Sequence, residues 1–411
     1  MQMKKIATAS AGVLFAGLMT GVAFASAPVV SNVQFRQNTQ TRAVTLTYEL
    51  DAPAIVTVDF QTNGVSIGAA NFTPVSGDVN TYVTRSSGTI HWAPDKTWPG
   101  HRITDGSMTA VVTAWELASP PDYLAMDMLA HTTNWYTCAE AVPGGVTNDL
   151  YKTSVILLRR IPAANIQWRM GQYGSSGEEL HSVTLTNDYY MGVFEVTDYQ
   201  YELAKNGVTT GSKLPKETPS GVSQWGVSYE RWRGTTGEGK NWPTAGGRGA
   251  YSTSVLGLLS QKAGIEFDLP TEAEWEFAAR AGCGGETYDS VLDNIAWTKE
   301  NYRNDPANYA SNQKHEVGLL KPNAFGLYDV LGNVWEYCLD WRDNYSGLIG
   351  TVTVNPTGPN SGSGRIKRGG SYENPASGGA FRFAKRADES PTNDSASGVG
   401  ARVVAPLTLK W

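Results

Sequence analysis

The sequence predicts an α+β protein in two parts, an N-terminal antiparallel β-sandwich of immunoglobulin or fibronectin type followed by a loop-rich domain with two helices. Three observations lead there. Between Pro28 and about Trp115 apolar residues recur at every second position, the period of half-buried strands. Two later segments, "VTDYQYELAKNG" and "LPTEAEWEFAARAG", carry helix start and stop signals. Among 411 residues, 44 glycines and 13 tryptophans point to many tight turns around an aromatic core.

The alternation is read from Val44, Leu46, Tyr48 and Leu50, then Val56, Val58 and Phe60, then Val65 and Ile67. Ile90 and Trp92 continue it, and Met108, Ala110, Val112 and Ala114 close it. About seven short strands without helix signals make residues 28–116 a sandwich. Pro120 and Pro121 break the pattern, so 117–150 is expected to be connecting structure. The second domain then runs over 151–408. Its opening "TSVILLRRIPAANIQWRMG" predicts a strand pair around Pro162. In the first helix Thr197 and Gln200 form a capping box and Gly207 is the stop; in the second, Thr271, Glu274 and Gly282 repeat the device. Trp275, Ala278 and Ala279 share one face of that helix. Beyond Gly282 no helix is predicted.

Ahead of the sandwich, "MQMKK" and a small-residue apolar run ending at Ala23-Phe24-Ala25 read as a signal peptide over 1–25, and so as a secreted or periplasmic protein. No second apolar run approaches the ~20 residues that span a bilayer. A formal charge of -6, with "RIKR" at Arg365–Arg368 as the densest basic patch, argues against a nucleic-acid partner. Cys138, Cys283 and Cys338 allow at most one disulfide, and the sequence leaves the pair open. There is no CxxC, HExxH, G-x-S-x-G or Gly-rich phosphate loop. His181 and His315 are expected to be surface or hydrogen-bonded histidines, and the macrodipole accounts for Glu272, Glu274 and Glu276 at a helix start.

The stretch "GNVWEYCLDW" is harder to place. Trp335, Tyr337, Leu339 and Trp341 fall on one side of a strand, while Val334, Glu336, Cys338 and Asp340 fall on the other. A carboxylate beside so many aromatics needs a cation, a donor or water. Cys338 is expected to be a small buried hydrophobe.

"MGVFEVTDYQYELAKNG", "DLPTEAEWEFAARAG", "KPNAFGLYDVLGNVWEYCLDW", "RGGSY" and "GVGAR" stand in one order over Tyr151–Val404. That series resembles the formylglycine-generating enzyme family, the sulfatase-modifying factors. The resemblance implies a loop-rich, C-type-lectin-related fold and, in active members, oxidation of a sulfatase cysteine with copper held by two cysteines. It also implies a calcium ion held by Asp329, the Gly332 and Val334 carbonyls and Glu336, a set of hard oxygens. Where the copper cysteines belong, this chain has Asn374 and Gly379 (or Gly378), so copper is not expected. By the same resemblance Trp335, Arg368, Ser371, Tyr372, Asn374 and Gly379 line a groove for a peptide, glycan or protein partner. The rival expectation is a protein-modifying oxidase that acts on sulfatases.

Overall fold

The computed structural model describes residues 27–68, 71–72, 74–101, 107–216, 232–233, 250, 252–283, 292–301, 314–393 and 397–407. The signal peptide expected at 1–25 lies outside the described residues. The chain divides into two compact units, Met1–Ala125 with Thr133–Val146 and Met126–Thr132 with Thr147–Trp411.

In the first unit the strands are β1 (Val30–Gln37), β2 (Val44–Leu50), β3 (Ala54–Thr62), β4 (Val65–Ser66), β5 (Pro74–Gly77), β6 (Thr81–Val83), β7 (Ser87–Trp92) and β8 (Met108–Trp115). One antiparallel sheet has the order β1-β2-β7-β5; in the other, β3 pairs with β4, β6 and β8. The period-two pattern sets the faces. Val44, Leu46, Tyr48 and Leu50 of β2 join Val56 and Phe60 of β3, Ile90 and Trp92 of β7 and Val112 of β8 in one apolar core. Phe60 and Trp92 centre it, with ring centroids 4.8 Å apart. The alternation was legible for the strands that contribute most to this core. The short β5 and β6 escaped it, as did the helical turn Pro94–Thr97.

The stretch 117–150, expected to be connecting structure, carries two regular strands, β9 (Tyr123–Asp127) and β10 (Thr132–Tyr136).

The second unit contains β11 (Val155–Ile161), β12 (Ile166–Met170), β13 (His181–Leu185), β14 (Tyr189–Gly192), β15 (Trp335–Trp341), β16 (Val352–Val354), β17 (Arg365–Arg368), β18 (Ala387–Glu389), β19 (Val399–Gly400) and β20 (Val404–Pro406). Both strands expected around Pro162 form, but they are not partners. β11 pairs with β14 and β12 with β13, because the turn that holds Asn165 at φ +59° sends the chain into a different sheet. β15 is the central strand of a third sheet, antiparallel to β17 and parallel to β19. All seven of its residues are buried, so both faces of "WEYCLDW" meet protein.

Among the described residues three helices of nine residues pack among these sheets, α1 (Asp198–Asn206), α2 (Val255–Ala263) and α3 (Glu272–Arg280). Both expected capping boxes are present, Thr197 with Gln200 and Thr271 with Glu274. α1 ends at Gly207 as expected; α3 ends one residue early, with Ala281 itself left-handed at φ +44° and Gly282 following at φ +83°. α2 was not expected. Ser254 caps it and Gly264 closes it, but its third residue is Gly257, which has no side chain to complete the box that marked the other two. Beyond Gly282 the described helical structure is limited to single turns such as Leu292–Ile295.

The cap on α3 makes a direct test. Thr271→Ala removes the acceptor for the Glu274 N–H and is expected to cost about 1 kcal/mol in urea unfolding. An unchanged midpoint would show that the box does not stabilise the helix.

Candidate functional site

The Glu336 carboxylate lies wholly buried in the middle of the β17-β15-β19 sheet. Its partner is Arg402, two residues beyond β19. Arg402 Nε donates to both carboxylate oxygens at 2.9 and 3.1 Å, and Nη2 donates to Oε1 at 2.6 Å. The Trp275 indole N–H from α3 donates to Oε2 at 2.6 Å. The rest of the guanidinium is used as well: Nη1 donates to the Gly192 and Val193 carbonyls, and Nη2 to that of Tyr328. The anion that the sequence left open is therefore held by a cation and a donor, both from protein.

A second buried network lies along the same helix. Glu272 receives two N–H bonds from Arg386, each 2.7 Å, and the Tyr345 hydroxyl at 2.6 Å. Glu276 pairs with Arg280 and Arg368 and accepts the Gly171 N–H. Glu272 stands in the first turn, as the macrodipole favours, but Glu272 and Glu276 are also partners of buried arginines. Burial alone raises a carboxyl, but Arg386 and Arg368 outweigh it and hold Glu272 below its ordinary range. Asp340 faces the same helix start, accepting the Glu272 N–H at 2.8 Å. Burial and then the Glu272 charge push its carboxyl up to about 8.

The groove residues separate into inner and outer ones. Arg368 is fully buried with Glu276 and Glu272, so its charge is spent inside and is not offered to a partner. Ser371 and Tyr372 are also buried, and Trp335 is 8% exposed with Lys367 Nζ 5.9 Å from its ring centre. Asn374 and Gly379 are half-buried, and Pro375, Ser377 and Gly378 between them are exposed. Asn374 Oδ1 accepts both the Ser371 N–H at 2.9 Å and its hydroxyl at 3.2 Å. The Asn374 backbone donates to the Ser371 carbonyl and accepts from Lys299 N–H. The Asn374 side chain thus closes a turn. Gly379 sits at φ +68°, in the left-handed region where glycine is favoured.

All three cysteines are free thiols, which ends the disulfide question. Cys338 is completely buried, and burial raises its thiol well above the ordinary value, which disfavours the thiolate. His181 and His315 are buried. His181 hydrogen-bonds the Glu179 carbonyl at 2.9 Å, while His315 stacks on Trp297 with ring centres 3.7 Å apart.

The calcium set implied by the resemblance fits at one end only. Asp329 is buried; its Oδ2 accepts the Gly318 N–H at 2.7 Å and its Oδ1 has no protein partner. Burial pushes this carboxyl up to about 6. Gly332 lies where it must, since a Cβ there would meet the Trp297 carbonyl oxygen at 2.5 Å. Glu336 does not fit. Three N–H groups already make four contacts with its two oxygens, the Arg402 Nε–H shared between both, Arg402 Nη2 on Oε1 and the Trp275 indole on Oε2. Among the described residues no three His, Cys, Asp or Glu side chains are grouped as metal ligands. A signal for Glu195, which the sequence reading missed, is absent from its local pattern. It is buried beside this turn, accepting Val334 N–H and the Asn333 amide.

Among the described residues, a domain of three nine-residue helices and three sheets held by buried Arg–Glu pairs is the class of structure defined so far. Comparison with known proteins supplies the family: the chain belongs to the sulfatase-modifying factor enzyme 1-like domain family, matched over residues 160–407. It is 37% identical over 139 residues to the formylglycine-generating enzyme of Streptomyces coelicolor, covering 32% of this chain and 43% of that one. It is 34% identical over 124 residues to a mouse protein named inactive C-alpha-formylglycine-generating enzyme 2, covering 28% and 35%. The chain thus aligns with less than half the length of these relatives. Among solved structures, Treponema denticola variable protein 1 superimposes with a TM-score of 0.45 at 26% identity, covering 61% of this chain and 95% of that one.

The Asp340 environment predicts a pH effect. Its folded value, about 8, stands above the ordinary ~3.9 of an unfolded aspartate, so folding favours the protonated form. That contribution is complete below about pH 4 and is lost as pH rises through 8. Asp340→Asn keeps an acceptor for the Glu272 N–H and removes the ionisation. Its stability relative to wild type should therefore improve between pH 5 and pH 8.5 in urea unfolding; an equal offset at both would refute the assignment.

Proposed function

We propose that this chain is a secreted or periplasmic, non-copper member of its family that binds a peptide, glycan or protein partner at the surface around the Asn374–Gly379 turn. The first unit is read as an immunoglobulin- or fibronectin-type spacer or adhesion module, and the second as a C-type-lectin-related fold. The observation that carries this reading is the Asn374 side chain. It stands where the resemblance places a copper cysteine, and it is committed to Ser371. Copper(I) needs soft ligands, and neither a carboxamide nor a glycine supplies one. Cys338 is buried on the central strand β15. Exposed Pro375, Ser377 and Gly378 leave a loop whose backbone can meet a partner. A mouse relative named as inactive accords with the same reading.

The test pairs two assays on mature protein purified without chelator. A Cys-x-Pro-x-Arg peptide should yield no aldehyde when copper and oxygen are supplied, and mass spectrometry should find no copper. Aldehyde with stoichiometric copper would instead establish the oxidase. For the surface itself, replacing Pro375 and Ser377 with lysine should weaken capture of the physiological partner at least tenfold while the melting temperature stays put; undiminished capture would remove the loop from the site.

A further inference from the structure

The resemblance calls for a divalent cation at Glu336, and the side chains found there accommodate a different one. Arg402 is among the largest fully buried side chains of the protein. Its guanidinium has five N–H donors in a rigid fork, and all of them are directed at oxygen. The oxygens belong to Glu336 (both), Gly192, Val193 and Tyr328, at 2.6 to 3.1 Å. A shell of five oxygens, two of them from a carboxylate, is the donor chemistry that a hard ion such as calcium selects. Here it closes around a covalently attached cation. The Trp275 indole donates to Oε2, so each oxygen of Glu336 already carries two N–H contacts and an ion there would compete with them.

We infer that Arg402 is the resident cation of this oxygen cage, and that the second unit folds and stays folded without calcium at Glu336. An arginine and a divalent ion are not equivalent in this role. The arginine cannot be chelated away, it cannot be lost at low calcium, and its fork fixes the direction of each oxygen. Glu195 and Asp329 stand beside the cage, but each spends oxygens on backbone or amide donors, Glu195 on Val334 and Asn333 and Asp329 on Gly318. Asp329 Oδ1, which has no hydrogen-bond partner, is a single ligand atom.

The experiment measures thermal unfolding of the full mature chain with excess EDTA and with millimolar calcium, alongside calcium content by mass spectrometry. The melting temperature should be the same in both to within about 1 °C. Stoichiometric calcium whose removal lowers the melting temperature would overturn the inference. Arg402→Met should lower it by about 10 °C, because the carboxylate is left buried and unpaired. Where that variant does not fold, the Arg402→Met, Glu336→Gln double variant decides. Recovery of folding shows that the pair neutralises itself, whereas recovery of either variant only on adding calcium to wild-type levels would mean that the cage is built for the ion.

Discussion

Most of the second unit depends on one fully enclosed ion pair. Removing a guanidinium and a carboxylate from water is expensive, and the cost is offset only when every donor and acceptor finds a partner. Glu336 and Arg402 meet that condition by drawing in distant parts of the chain: the end of β14 through Gly192 and Val193, the Tyr328 turn, the centre of β15, and the segment after β19. Each of these segments is irregular or short by itself. Their arrangement follows from the fixed geometry of one planar cation.

Trp275 extends that constraint to α3, since its N–H ends on Glu336 while the Arg368 guanidinium lies 5.1 Å from its ring centre. On the same helix, three residues before Trp275 and one after it, Glu272 and Glu276 take Arg386, Arg280 and Arg368. The helix therefore buries a stripe of alternating charge and aromatic surface against strands β15 and β17, where an ordinary amphipathic helix would bury leucines. Asp340 adds an acceptor at the helix start. With helices of only nine residues, directional ion pairs fix relationships that a larger apolar core leaves to packing.

This internal use of charge determines what is left for recognition. Arg368, Ser371 and Tyr372 belong to motifs that read as a surface groove, yet they face inward and support the turn above them. Ser371 illustrates the step: its hydroxyl and N–H both reach Asn374, so a buried residue holds the loop that is exposed. In this layout the arginines form the framework, and the exposed residues Pro375, Ser377 and Gly378 lie outside it.

Local pattern was enough for the features that short-range physics controls. The strands of the first unit followed from period-two burial, the two capped helices from Thr, Gln, Glu and Gly at fixed offsets, and the burial of Cys338 from its place in an aromatic-rich strand. The collinear motifs likewise led to the family, which residues 160–407 match. Pairing across the chain was not legible. Nothing near Glu336 announces an arginine 66 residues away, and nothing near Pro162 shows that β11 and β12 enter different sheets. Those outcomes rest on which donors come within 3 Å of which oxygens after folding, and a linear pattern does not carry distance. The sequence by itself determined which residues could be strands, caps and ligands; the tertiary structure decided that the cation on Glu336 is Arg402, because only packing brings its fork to that carboxylate.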